Sequence, residues 1–207
     1  MGEVHKATLS PSKQEIIEGW LPSRSWASGR IVAEKVAEYR FDDPEGEVGV
    51  ETILWLTDDG AVVQTPLTYR SAPLAGAEKH LITTTQHSVL GKRWVYDGCG
   101  DPVWASTLAA AILTGGQQSK MFFEDGGRRV DIPARMQVRG SGSDGEGVTI
   151  DAVAGVEDDG DTTVARAGDV VLALARVVGT TLGEGPHLLG RVGEGGETTV
   201  LAVLRRS

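Results

Sequence analysis

Polar and apolar positions recur with two different periods along this chain, and the switch between them predicts the elements. Ile16, Ile17, Trp20 and Leu21 fall on one helical face. Ser10 is placed to cap that helix, Pro11 fits its first position, and Pro22 lies beyond an end near residue 20. Three period-2 segments follow at 30–41, 47–55 and 61–69, with a hairpin turn at Asp58-Asp59-Gly60. Residues 80–89 and 92–96 read as another hairpin, split by Gly91. A second helix is predicted over 103–113, with Asp101 as cap, Pro102 at the first position and Gly115-Gly116 as the stop. Its small residues Ala105, Ala109 and Ala110 imply close packing against a neighbour.

Beyond Gln117 the helical period disappears. Short β-branched runs at 134–139, 148–156, 162–165, 170–178, 187–192 and 198–204 alternate with Gly/Asp turns. The expected class is α+β. An N-terminal helix packs on a curved antiparallel sheet, and a helix and a β-rich C-terminal half come next. The division is placed at 1–116 and 117–207, and no internal repeat is evident.

Composition narrows the function classes. The 207 residues carry a formal net charge of −9, opposite to the basic footprint of a nucleic-acid binder and unfavourable for anionic membrane surfaces. Cys99 is the single cysteine, so no intramolecular disulfide forms. The N-terminus lacks the apolar core of a signal peptide, and the longest apolar run, 108–113, is far below the roughly 20 residues of a membrane span. A cytoplasmic location is the expectation.

Most chemical motifs fail on context. Gly140-Ser-Gly142-Ser-Asp-Gly145 matches the G-x-G-x-x-G fingerprint by letter. That motif needs a helix to follow, whose N-terminus meets the phosphates. Here a strand-like segment follows, Asp144 and Glu146 would repel an anion, and the stretch to Gly147 reads as a flexible connecting loop. His5, His80, His87 and His187 make no ligand pair, and Asp158-Asp159-Gly160-Asp161 lacks the spacing of a calcium loop. No nucleophile elbow is present. Asp42, Asp43, Glu45 and Glu47 read as a charged hairpin loop, because a glycosidase pair is defined by distance in space. Cys99 has no basic sequence neighbour except Arg93 to lower its pKa. Neither a cofactor nor a metal is expected.

The richest polar and aromatic constellation joins Tyr69, Arg70, His87, Arg93, Trp94, Tyr96, Asp97 and Asp101. Alternation puts Trp94 and Tyr96 on one strand face and Arg93 and Val95 on the other. Two uses of these residues are open. Aromatic faces beside Arg and Asp suit sugar or protein binding. Alternatively Trp94 and Tyr96 pack the core while Arg93, Asp97 and Asp101 form an ion network.

Residues 39–102 contain YRFDDPEGEVGVETILW, TPLTYRSAPLAGA and HSVLGKRWVYDGCGDP. These words resemble the N-terminal cap region of actinobacterial maltokinases and of short, kinase-less proteins that share it. The segment TTVARAGDVVLALAR (162–176) is similar to the strand–turn–strand that opens the maltokinase kinase lobe, a generic hairpin being the alternative. The resemblance implies a cystatin-like cap fold at the N-terminus and a degenerate kinase-lobe start at the C-terminus. It aligns Ala173 with the nucleotide-binding lysine, and a methyl group holds no triphosphate. No histidine is followed by Gly-Asp, and the chain ends about where the catalytic lobe would begin.

The function this implies is that of a non-catalytic cap-like protein. Its role would be regulatory or scaffolding in α-glucan, trehalose and maltose-phosphate metabolism, with a sugar kinase or glucan-processing enzyme as partner. Two alternatives from other classes stay open. One is a maltooligosaccharide- or glycogen-binding module stacking sugar on Trp94 or Tyr96. The other is an unrecognised glycan-active enzyme.

Overall fold

The computed structural model describes every residue except 1, 4–6, 28, 127, 144–146, 194 and 207. The chain opens with β1 (Gly2–Glu3), β2 (Leu9–Ser10) and α1 (Lys13–Trp20). There follow β3 (Val32–Asp42), β4 (Gly49–Thr57), β5 (Val62–Arg70), β6 (Leu81–His87), β7 (Gly91–Asp97) and α2 (Pro102–Thr114). The rest is β8 (Met121–Asp125), β9 (Arg128–Ile132), β10 (Met136–Gly140), β11 (Gly155–Asp159), β12 (Thr162–Ala167), β13 (Val170–Ala175), β14 (His187–Val192) and β15 (Thr198–Arg206). The class is α+β, with few helices and a curled antiparallel sheet.

One six-stranded antiparallel sheet runs β2-β6-β7-β5-β4-β3 and a second runs β10-β14-β15-β13-β12-β11. A small third sheet joins β1, β8 and β9. The first sheet is apolar on both faces, and the alternation along β4 sorts its residues between them. Ile53 and Trp55 join Ile16, Ile17 and Leu21 beneath α1. Val50 and Leu54 join Trp104, Leu108 and Ile112 of α2 on the opposite side. Helix α2 thereby stands between the sheets, in one buried cluster that also holds Leu172, Leu174, Leu188 and Leu204.

The sheets also touch directly. Val63 and Val177 form an antiparallel bridge, the Gln64 amide donates to the Arg176 carbonyl, and the Val178 amide donates to the Val62 carbonyl. The Gln64 side-chain amide donates to Ala175 O at 2.5 Å and Leu201 O at 2.9 Å, while its Oε1 accepts from the Tyr39 hydroxyl.

The caps explain where the helices begin. Asp101 caps α2 and Gly115 ends it at φ +69°, as the sequence predicts. For α1 the cap is Ser12, not Ser10. Ser12 and Glu15 form a reciprocal capping box, which satisfies two N-terminal amides at once. Ser10 instead pairs with Gln86 in the first sheet. Two other expectations change. Residues 148–154 are not a strand, because Ser106 of α2 holds the segment through Ile150 N and O. The β8–β9 hairpin was not predicted. Among the described residues no helix is long and apolar enough to cross a membrane.

Candidate functional site

The residues singled out by sequence separate onto the two faces of the first sheet. On the α2 face, Asp101 is fully buried. Its carboxylate takes both Arg70 Nε and Nη2 at 2.7 Å, the Thr68 hydroxyl at 2.7 Å and the Val103 amide at 2.9 Å. This bidentate pair holds the Arg70 guanidinium pKa above its ordinary value. Tyr96 is buried, with its hydroxyl accepting from Leu74 N at 2.8 Å. Trp94, on the same face as Tyr96, is half-buried and carries Lys92 Nζ 4.7 Å from its ring centroid.

Asp97 takes part in a second buried network, in which Arg176 Nη1 has no hydrogen-bond partner among the described residues. Its Oδ2 accepts from Arg176 Nη2 at 2.6 Å, and Arg176 Nε donates to Thr163 Oγ1 at 2.7 Å. The Arg176 guanidinium also lies 4.8 Å from the Trp26 ring centroid and 3.3 Å from Cys99 Sγ. Arg176, at 0% exposure, therefore ties β7 of the first sheet to β12 of the second. Arg93 is the only basic residue near Cys99 in sequence, but in space the cation beside it is Arg176. Burial nevertheless dominates and pushes the thiol pKa well up, which leaves it a poor nucleophile. Ala173 sits in a small apolar cluster with Ala175, Leu182 and Val203.

On the α1 face, Tyr69, His87 and Arg93 line a cleft of about 610 Å³, within the roughly 300–1,000 Å³ of small-molecule sites. It opens beyond the N-terminus of α1, between the β3–β4 turn and the β6–β7 hairpin tip. Its floor also includes Arg40 of β3 and Gly49 and Glu51 of β4, and the register pairs Arg40 with Glu51 and Gly49 with Tyr69 of β5. Lys13 Nζ reaches Glu51 Oε1 at 2.6 Å, and the Tyr69 hydroxyl donates to Glu51 Oε2 at 3.2 Å. Burial alone would raise the Glu51 carboxyl, but Lys13 and Arg40 overcome it and hold the pKa at about 2. Burial and then the Glu51 charge push the Tyr69 phenol well above its ordinary range. His87 Nδ1 accepts from the Val89 and Leu90 amides, so it shapes the hairpin tip as well as lining the cleft.

Sequence reasoning missed Lys13, Arg40, Gly49 and Glu51. The signal available was Glu51 at an inward position of a strand whose neighbours Val50, Ile53, Leu54 and Trp55 are core residues.

The glycine fingerprint takes the opposite polarity from a phosphate site. Gly140 N donates to Gly116 O and Gly142 N to Ile112 O, at the carbonyl end of α2. A Cβ on either glycine would collide with the carbonyl of Ala111 or Leu113. The third glycine, Gly145, and the neighbouring Asp144 and Glu146 lie outside the described residues, as does His5. A helix C-terminus carries partial negative charge and does not attract phosphate. Among the described residues, no group of three or more His, Cys, Asp or Glu side chains is placed to hold a metal ion.

No curated protein matches the chain. A match exists for the part of the molecule that builds β3 to β7 of the first sheet, with β2 and Lys13 of α1 outside it. Over residues 20–101 the chain is similar to the maltokinase N-terminal cap domain, the family to which its sequence words point.

Proposed function

We propose that this chain is a non-catalytic, cap-like protein that acts by binding. Its place is in α-glucan, trehalose and maltose-phosphate metabolism, as a regulatory or scaffolding partner of a sugar kinase or glucan-processing enzyme. The observation that carries this reading is the cap-domain match over residues 20–101. The surface beside the cleft supports it. Val89 and Leu90, 59% and 48% exposed, project from the β6–β7 hairpin tip, where large apolar side chains gain most from a partner.

Size-exclusion chromatography with light scattering, on the chain mixed with purified maltokinase or a purified glucan-processing enzyme, tests the proposal. A stoichiometric complex, weakened by Val89→Asp with Leu90→Asp, is the expected result. If neither enzyme forms a complex, the reading falls. A second reading, direct binding of maltooligosaccharide or glycogen, is favoured by the cleft rather than by Tyr96, which is buried.

A further inference from the structure

The first sheet ends on β2, a strand of two residues, which leaves most of the outer edge of β6 bare. β2 pairs with β6 at Gln86 and His87, and the Ser88 amide donates to Thr8 O on the same side. By the alternation of an antiparallel strand, the Gln86 and Thr84 backbone groups face that side too. The chain turns away at Pro11 to begin α1, so β2 reaches Gln86 and stops short of Thr84. Among the described residues no strand pairs with β6 there, and the Thr84 carbonyl takes a Thr83 hydroxyl at 3.4 Å. Exposed edges are commonly guarded by charge or proline. β6 reads LITTTQH and carries no lysine, carboxylate or proline, and its one irregularity is a register shift between Leu81 and Thr83.

Beside this edge lies a groove of about 370 Å³, formed between α1 and β6. Pro11, Ile16, Trp20 and Ile82 give it apolar walls, and Glu15 is the one charged residue lining it. The half-buried Trp20 ring is set edge-to-face against Trp26 at 5.7 Å, so a fixed aromatic surface borders the groove. Gly19 lines it from the helix side. Glycine weakens a helix relative to alanine, and the backbone does not call for it here. Its φ is not positive, and an added Cβ would meet nothing within 4 Å. The effect of glycine at this position is to keep the groove open.

These features select the occupant. Bare strand groups are satisfied by another extended backbone, the strand-addition mode of peptide recognition. Because α1 flanks the edge, the opening suits one extended segment rather than a second sheet. The apolar walls take alternate side chains of that segment. Glu15 and Glu18 are exposed on α1, on a chain of net charge −9, and they favour a basic flank over an acidic one.

We infer that the groove between α1 and β6 docks an extended peptide segment of a partner protein. The segment adds as a strand beside residues 82–84, with apolar side chains against Trp20 and Ile82 and a basic residue near Glu15. The inference needs neither the enzyme partner nor the hairpin-tip surface proposed above.

Amide spectra of the full chain, titrated with terminally blocked hexapeptides, test it. One peptide alternates valine and threonine after an initial lysine. A second begins with glutamate instead, and a third repeats the first with alternate amides N-methylated, which removes strand hydrogen bonds. The lysine peptide should bind saturably and shift the amides of Ile82, Thr83 and Thr84 and the Trp20 indole first. Binding should be about tenfold weaker for the N-methylated peptide, and equally so in Gly19→Leu, which fills the groove. Gly19→Ala should fold at least as well and keep binding, and Val89→Asp with Leu90→Asp should leave it unchanged. Absence of saturable shifts with the lysine peptide overturns the inference. So does equal affinity for the glutamate or N-methylated peptide, binding that survives Gly19→Leu, or shifts confined to the hairpin tip. Concentration-dependent shifts along β6 without peptide would overturn it as well, because the occupant would then be a second copy of the chain.

Discussion

Arg176 and Arg40 each stand beside a buried carboxylate, and they differ in what surrounds the rest of the guanidinium. Arg176 is enclosed by Asp97, Thr163, Cys99 and two tryptophan rings, and it joins the two sheets. Arg40 lies near Glu51 on the floor of an open cleft, with its hydrogen-bonding capacity among the described residues unused. The difference separates charge that specifies a structure from charge available to a ligand. An arginine enclosed on all sides acts mainly on stability, whereas an open one keeps most of its donors in contact with solvent.

That contrast can be broken most easily at its closed end. Arg176→Met leaves the Asp97 carboxylate buried without its cation, and should cost about 3–5 kcal/mol. Denaturant unfolding measures it, and the double variant Arg176→Met with Asp97→Leu should recover much of the loss. If the single variant costs under about 1 kcal/mol, Arg176 is not the tie between the sheets. Asp101→Ala removes the α2 cap and the acceptor of Arg70 and Thr68 together, with an expected loss of about 2–3 kcal/mol.

Acid titration probes the cleft itself. The Glu51 carboxyl, lowered in the folded protein from 4.5 to about 2, adds stability above pH 4.5. That contribution, about 2–3 kcal/mol, disappears as pH falls from 4.5 toward 2. In Glu51→Gln this component of the acid transition should be missing, and an unchanged pH profile would show that Lys13 does not hold the carboxylate in the fold. The smallest effect belongs to Arg40. Arg40→Met removes one of the two cations that hold the Glu51 carboxylate and leaves Lys13 in place, so it should cost about 1 kcal/mol, well below the loss at Arg176.

Local chemistry was legible in the sequence where a few neighbouring residues decide the outcome. The Asp101-Pro102 start and Gly115 stop of α2, the Asp58-Asp59-Gly60 turn and the alternation along β7 are of this kind. Ser12 was hidden by Ser10-Pro11, a start signal of similar strength one turn fragment earlier. Residues 148–154 have strand-like composition, but a serine on α2, more than forty positions away, decides their conformation. The β8–β9 hairpin has charged residues on half of its strand positions, so its period is weak.

The functional residues follow the same rule. Tyr69, His87 and Arg93 were visible as polar residues on a strand-rich segment, yet their cleft companions come from α1, β3 and β4. Asp97 and Asp101 look alike on paper. Their partners, Arg176 and Arg70, lie at separations of 79 and 31 residues, which no local pattern encodes.

The strand junction at Gln64 has a consequence for how this molecule can be recombined. One amide side chain closes the carbonyls of Ala175 and Leu201, and the backbone beside it pairs with Arg176 and Val178. A chimera that grafts residues 1–116 onto an unrelated domain would leave Gln64, Asp97 and the β5 edge facing the wrong backbone. Residues 1–116, the segment 161–178 and the β15 strand that carries Leu201 therefore form a unit of exchange, to be transplanted together or not at all.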